Sequence, residues 1–320
     1  MGMSSGWAKQ TGKPTNAKKT PSFDLKYYQN LYSKPRDNVA KARLAFVGKE
    51  NTLKTGLAVA RCRANIGADK TIVVIDIDNS AGATIAHNYA DDKNIQIIPI
   101  YDELDESLFL ENGSTNWTAL VDKVGWFAKC IATDENVGAV ILDGCSTLLK
   151  WCEFAMNDVL MNRSRNPVNV DDGDRFNQAE WRTRNKLFKQ TLTRYHLLPF
   201  DIVCFTFHLK DVKEFMDIGD GKKGLMKIGE LPEWENGSKR LFNQQIFLAR
   251  YSKAGDPAAG VKKDSSLDEG EWVIRAEIQE MKGKHQEYLG STHDVLKIKG
   301  GKVKWLDLPF LVWAEEDGSS

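Results

Sequence analysis

The 320-residue sequence lacks a net charge: 44 lysines and arginines stand against 44 aspartates and glutamates. No overall field of one sign is therefore available to attract a partner, and only the distribution of charge can do so. The chain also lacks any Cys-x-x-Cys pair. Its five cysteines, Cys62, Cys130, Cys145, Cys152 and Cys204, sit mostly in apolar runs. They read as reduced, buried small hydrophobes of a cytosolic protein rather than as metal ligands or a disulfide framework. No apolar run reaches membrane-spanning length, and the first residues lack a signal-peptide core. The expectation is a protein with no membrane partner, working in the cytoplasm, or in a host cytoplasm if viral. No internal repeat is visible.

What charge asymmetry there is lies at the ends. Before Arg43 the chain carries many lysines and only Asp24 and Asp37 as acids, and it finishes with Glu315-Glu316-Asp317. A basic arm and an acidic tail can steer and screen a polyanion, and they serve equally well as solvated ends. Residues 1–22, rich in Gly, Ser, Thr, Lys and Pro, read as a disordered basic arm. Residues 23–42 hold Phe23, Tyr27, Tyr28, Leu31 and Tyr32 and suit a docking segment. Residues 43–313 form the main domain, and 314–320 the acidic tail.

Within that domain strands and helices alternate. Strands are predicted at Ala42–Gly48, Lys70–Asp78, Ile95–Ile100, Val137–Gly144 and Phe200–Leu209. Several, such as Thr71-Ile-Val-Val-Ile-Asp76, have a continuous apolar centre, as strands covered on both faces of a parallel sheet do. Helices are predicted at Lys54–Ile66, ended by Gly67 at its C-cap, and at Ala81–Tyr89, Ser146–Asn162 and Arg175–His196. Another is capped by Ser114 or Thr115 and aligns Trp117, Leu120, Val121, Val124, Phe127, Ala128 and Ile131 on one core-facing stripe. Residues 211–239, rich in Gly, Lys, Asp and Glu, read as a long loop or small insertion. Strands then follow at Leu241–Tyr251, Glu271–Met281, Asp294–Ile298 and Val303–Leu306, the last two flanking the hairpin signal Lys299-Gly-Gly-Lys302.

The most informative stretch is Arg43-Leu-Ala-Phe-Val-Gly-Lys-Glu-Asn-Thr-Leu-Lys-Thr-Gly-Leu-Ala-Val-Ala60. An apolar strand enters Gly48, five residues follow, and Lys54-Thr55 opens a helix. That is the layout of a phosphate-binding P-loop, in which backbone N–H groups and the positive end of a helix converge on phosphate oxygens. Gly48, Lys49, Glu50, Asn51, Thr52, Leu53, Lys54, Thr55 and Gly56 are the candidate nucleotide-binding residues. Lys54 is placed to reach the β- and γ-phosphates, and the Thr55 hydroxyl to meet Mg²⁺. Leu53 stands where the pattern has glycine, in a conformation that costs a β-carbon about 1–2 kcal/mol. Restoring glycine there is therefore expected to be tolerated or to favour binding. Ala139-Val-Ile-Leu-Asp143 then gives four apolar residues and an aspartate, the Walker B form, which makes Asp143 a second metal-site candidate. Both motifs fall at strand C-terminal ends, where open α/β sheets bind ligands.

As a set, these residues resemble the RecA-like P-loop ATPases, over roughly residues 40–300. Gly48-Lys-Glu-Asn-Thr-Leu-Lys-Thr55 is similar to that family's Gly-Pro-Glu-Ser-Ser-Gly-Lys-Thr loop. The resemblance implies an α/β fold with a mostly parallel central sheet and antiparallel C-terminal strands. It implies ATP and Mg²⁺ as cofactors and ATP hydrolysis as the activity. Ile75-Asp-Ile-Asp78 takes the place of Ile-Asp-Ala-Glu, which makes Asp78 the candidate general base, one methylene shorter than the usual Glu and equally suited to capping the next helix. Phe205-Thr-Phe-His208 matches the sensor strand, with His208 at the sensor position. Glu277-Ile-Gln-Glu-Met-Lys-Gly-Lys-His285 resembles the Lys-x-Arg finger that reaches a neighbouring subunit's nucleotide, so Lys282 and Lys284 would complete the site in a homo-oligomer, ring or filament. A solvated hairpin explains the same spacing.

The closest overall shape is that of compact phage and archaeal-virus members, several of which act on single-stranded DNA in recombination or annealing. The family's DNA-contacting loops fall here at Asn162–Asn166 through Arg175 and at Lys210–Arg240. The latter holds Lys222, Lys223, Lys227 and Trp234, suited to track phosphates and stack on a base; acids such as Asp171, Asp172, Asp174, Asp217 and Asp220 dilute the signal. Three other readings stay open: a hexameric helicase or translocase core, a pseudo-ATPase whose loop Leu53 has spoiled, and a nucleotide-switched assembly protein. Lys49, five residues before Lys54, has the spacing that marks the last of these.

Overall fold

The computed structural model describes residues 41–162, 177–217, 223–282 and 286–306. The chain divides into two units, Met1–Ala40 and Lys41–Ser320. The basic arm, the docking segment up to Ala40, the acidic tail, Arg163–Arg175, Asp220, Lys222 and Lys284 lie outside the described residues.

The second unit is an α/β fold with a mostly parallel mixed sheet. Its strands are β1 (Ala42–Gly48), β2 (Thr71–Asp76), β3 (Ile95–Pro99), β4 (Val137–Asp143), β5 (Ile202–Asp217), β6 (Lys223–Pro232), β7 (Gln244–Ser252), β8 (Val261–Lys263), β9 (Glu271–Met281), β10 (Thr292–Lys299) and β11 (Lys302–Trp305). Its helices are α1 (Lys54–Arg63), α2 (Ala81–Asn88), α3 (Trp117–Ile131), α4 (Cys145–Met161) and α5 (Gln178–His196). The strand order is β11-β10-β9-β7-β1-β5-β4-β2-β3. From β7 to β3 all neighbours are parallel, and β9, β10 and β11 add antiparallel strands at the other edge.

The continuous apolar runs find their reason in two cores. Along β1, Ala45 and Val47 face a cluster with α3, α4 and α5, while Leu44 and Phe46 face a cluster with α1, α2 and the late strands. Strands β2 and β4 divide their residues in the same way, so the central positions of these strands are apolar on both faces. Of the cysteines, Cys62, Cys145, Cys152 and Cys204 are buried as expected, and Cys130 is exposed. Among the described residues no helix is long and apolar enough to cross a membrane.

Four local expectations are corrected. Helix α1 stops at Arg63 with Ala64 as its cap, not at Gly67. Arg63 turns back to Gly67 O, Lys70 O and Asp92, fixing the exit without a left-handed residue. Helix α3 is capped by Asn116, whose side chain accepts from Ala119 N, because Ser114 is engaged with Asn112 in the preceding turn. In α5 the described residues begin the helix with a capping box of Asn177 and Glu180 rather than at Arg175. Most consequentially, the expected loop at 211–239 is largely a β-hairpin. Strand β5 runs on past the sheet and pairs antiparallel with β6 from Leu209↔Pro232 outward.

Candidate nucleotide site

Strands β1, β2 and β4 end, and β5 leaves the sheet, on one side, and their registers bring the polar residues there level. Asp76 pairs with Asp143, Gly48 with His208, and Leu142 with Phe205. The β1–α1 loop closes over this edge. Gly48 permits it, since a β-carbon there would stand 2.4 Å from Thr52 Oγ1 and 2.8 Å from Leu248 O. The loop is pinned internally by Thr52 Oγ1, which donates to Lys49 O at 2.8 Å. Leu53 adopts the left-handed conformation, φ 62°, ψ 27°. The position therefore keeps the backbone geometry that the motif assigns to glycine, despite the β-carbon.

Lys54 and Thr55 open α1, whose first-turn N–H groups have no intrahelical partner. Lys54 is nearly buried, and its ammonium donates to Lys49 O at 2.7 Å. Burial lowers its pKa to about 8, against the opposing pull of Asp143, Asp78 and Glu50. Thr55 Oγ1 donates to Asp143 Oδ2 at 2.8 Å. The other oxygen of Asp143 accepts from Thr206 Oγ1 at 2.5 Å, and Thr206 in turn accepts from Gly144 N at 2.9 Å. Gly144 needs to be glycine: its φ is 90°, and a β-carbon would meet Asp78 Cγ at 3.1 Å.

Three carboxylates meet here. Ligand atoms of Asp76, Asp78 and Asp143 lie within 4.8 Å of one another. Burial raises Asp143, against its two threonine hydrogen bonds. Burial and the neighbouring Asp143 raise Asp76 to about 6. Asp76 also accepts from Ser80 N and Ala81 N at the start of α2. At Asp78 burial works upward too, but His208 and the Ser80 hydrogen bonds outweigh it and hold the carboxyl below its ordinary value. Ser80 Oγ donates to Asp78 at 2.6 Å, and His208 Nε2 stands 3.9 Å away. Three acids around one point, two of them pushed toward protonation, suit a divalent cation, which relieves their repulsion.

The cavity over these groups is about 550 Å³ and is lined by Glu50, Asn51, Thr52, Leu53, Lys54, Thr55, Asp78, Ser80, Asp143, Thr206 and His208, with Ala83 and Thr84. It thus gathers most of the residues singled out in the sequence. Gly48 and Gly56 frame the loop instead, the Gly56 carbonyl accepting from Tyr89 Oη at 2.7 Å. Lys49 turns away to Glu230 and Asp211 on the β5–β6 hairpin, at 2.9 and 3.4 Å. Sequence reasoning missed Thr206 and the part played by Asp76. A lone hydroxyl inside the run Ile202–Phe207 was the available signal for the first.

Lys282 is not brought to this cavity. It follows Met281, which pairs with Gln244 at the start of β7, and β7 runs parallel to β1; this is the sheet end opposite Gly48. Its ammonium is exposed, 3.3 Å from Glu280. On the hairpin side, Lys227 is engaged with Asp211 and Glu230. Trp234 has one face stacked on Phe242 and meets Phe207 edge-on, so part of the ring expected to stack on a base is committed to the core. Compared with models of known protein families and with curated proteins, the sequence matches none.

Proposed function

We propose that the protein is a Mg²⁺-dependent ATPase with a RecA-like core, acting on single-stranded DNA in recombination, annealing or replication. The observation that carries this reading is the hydrogen-bonded line Thr55–Asp143–Thr206, from the first turn of α1 to β4 and β5, beside a lysine buried behind a left-handed loop residue. The strand order supports it as well: β1, which leads to Lys54, is separated from the Asp143 strand by one inserted strand, β5, which carries His208 where it leaves the sheet.

In this reading Lys54, a desolvated cation resting on a loop carbonyl, exchanges that carbonyl for phosphate oxygens. Thr55 keeps its proton on Asp143 and leaves its oxygen lone pairs for a metal. Asp143, Asp76 and Thr55 would hold Mg²⁺, which when bound neutralises phosphate charge. Asp78, kept ionised, orients or deprotonates the attacking water, with His208 beside it. Lys282 and Lys284 act on a neighbouring subunit's nucleotide, since Lys282 is at the far end of its own sheet.

Assembly draws further support from the hairpin. Phe215, Met216, Leu225, Met226, Ile228 and Leu231 are all exposed there, spread over both faces of the hairpin, and exposed apolar side chains in such number suit contact with another chain. The orientation of Lys49 weakens the alternative of a nucleotide-switched protein, because that lysine is committed to acids of its own chain. The test is ATP turnover with and without single-stranded DNA, together with sizing in a non-hydrolysable analogue. DNA-stimulated turnover by an assembled species supports the reading. Turnover absent under every condition contradicts it.

A further inference from the structure

A second, apolar cavity of about 280 Å³ adjoins the phosphate-side cavity and shares two of its walls, Asn51 and Leu53. Its floor is one face of the late antiparallel sheet. Arg250, Ile274, Leu296 and Trp305 form one row across β7, β9, β10 and β11, and Trp272 pairs with Ile298 in the next. The Arg250 guanidinium lies over the Trp272 ring at 4.7 Å. Both tryptophans remain 40% exposed. Trp305 reaches back to the first turn of α1, where a β-carbon on Gly56 would touch its ring at 3.8 Å.

We propose that this cavity receives the purine base of the nucleotide whose phosphates bind the Gly48–Thr55 loop. The inference rests on the nucleotide-binding reading above and adds where the base goes and which residues hold it. The two cavities meet at Leu53, so a ligand with phosphates in one can place its base in the other without leaving the surface. The floor offers a broad apolar face with one cation–aromatic pair and few polar groups, which suits a flat π-system held by stacking. Asn51 supplies an amide at the rim. The same arrangement accounts for Leu53. Its strained backbone is retained because its side chain packs against the cluster containing Ile274 and Leu296 and forms the wall between the two cavities. Glycine relieves the strain and removes the wall.

The experiment compares MgATP with magnesium tripolyphosphate, which has the phosphates and no base, by calorimetry. The proteins are wild type, Trp272→Ala, Leu53→Gly and Lys54→Ala. Base stacking on an aromatic ring predicts that wild type binds ATP about tenfold or more tightly than tripolyphosphate. Trp272→Ala should narrow that ratio severalfold while leaving tripolyphosphate affinity unchanged. Leu53→Gly should narrow it too, whatever its effect on the phosphates, so that the glycine which the loop pattern alone favours costs base affinity. Thermal melting of each variant controls for folding, and because each ratio is taken within one protein, a partly unfolded fraction does not alter it. If tripolyphosphate binds and Lys54→Ala abolishes its binding, yet the ratio is the same in all three Lys54-containing proteins, the base pocket is wrong and the phosphate site stands. If wild type binds neither ligand, both fall.

Discussion

Thr55 and Asp143 lie 88 residues apart and are joined by a 2.8 Å hydrogen bond that ties the start of α1 to the end of β4. Asp143 is buried and receives a second hydroxyl from Thr206. The phosphate-side loop and the acidic strand ends are therefore one connected unit before any ligand arrives, which is the preorganisation that charge stabilisation requires.

Removing Thr206 tests that unit. Thr206→Val takes one donor from Asp143 and leaves Gly144 N without its acceptor. The expected cost is about 1–3 kcal/mol of stability, with reduced turnover, because buried polar groups lose their partners. Thr206→Ser should recover both. Chemical denaturation and a turnover assay on the three proteins decide it, and a Thr206→Val protein equal to wild type in both would detach Thr206 from the site.

The acid cluster predicts a pH dependence for the metal-free protein. Folded Asp76 holds its proton up to about pH 6, against an ordinary value of 3.8. The folded state thus binds more protons across that window, and stability from this group is lost as pH rises through it. A two-unit shift corresponds to about 3 kcal/mol at most. Asp76→Asn lacks this loss. Its stability relative to wild type should improve by about 1–3 kcal/mol between about pH 4 and about pH 7. Urea melts at the two pH values measure this; a constant gap would remove the charge repulsion from the account.

Asp78→Asn is expected to bind ATP normally and to hydrolyse it about 10²–10⁴-fold more slowly, the usual contribution of a general base. Normal hydrolysis in that variant, with loss in Glu50→Gln, would move the water-activating role to the loop.

How much of this was legible in the chain depended on how one-sided the local pattern was. Ile72–Ile75 and Ala139–Leu142 are unbroken apolar runs, buried throughout and each followed by an acid, and both strands and Asp143 could be read directly. The β5–β6 hairpin could not. Leu209, Val212 and Phe215 recur every third residue among charges, and the exposed hairpin has no buried face to impose alternation. Thr206 was hidden by its apolar neighbours, and the role of Asp76 by Asp78, two residues beyond the end of β2. Leu53 looked like a defect in the loop, because the sheet face it packs against is formed more than two hundred residues later.

The lysine pair is tested by mixing. Lys54→Ala protein and a Lys282→Ala/Lys284→Ala variant should each be inactive alone. Co-assembled, they create some interfaces with an intact loop on one side and intact lysines on the other, and these should regain activity. Sizing must first show that the two proteins assemble together. Demonstrated co-assembly without recovered activity would remove the lysines from catalysis across the interface.

The most direct measurement is ATP turnover in the presence of Mg²⁺ by wild type and by Lys54→Ala, with circular dichroism confirming that the variant is folded. The account predicts measurable turnover by wild type and its loss in the variant, because Lys54 is the buried cation at the mouth of α1. Equal turnover by the two folded proteins would contradict the phosphate-binding assignment from which the rest follows.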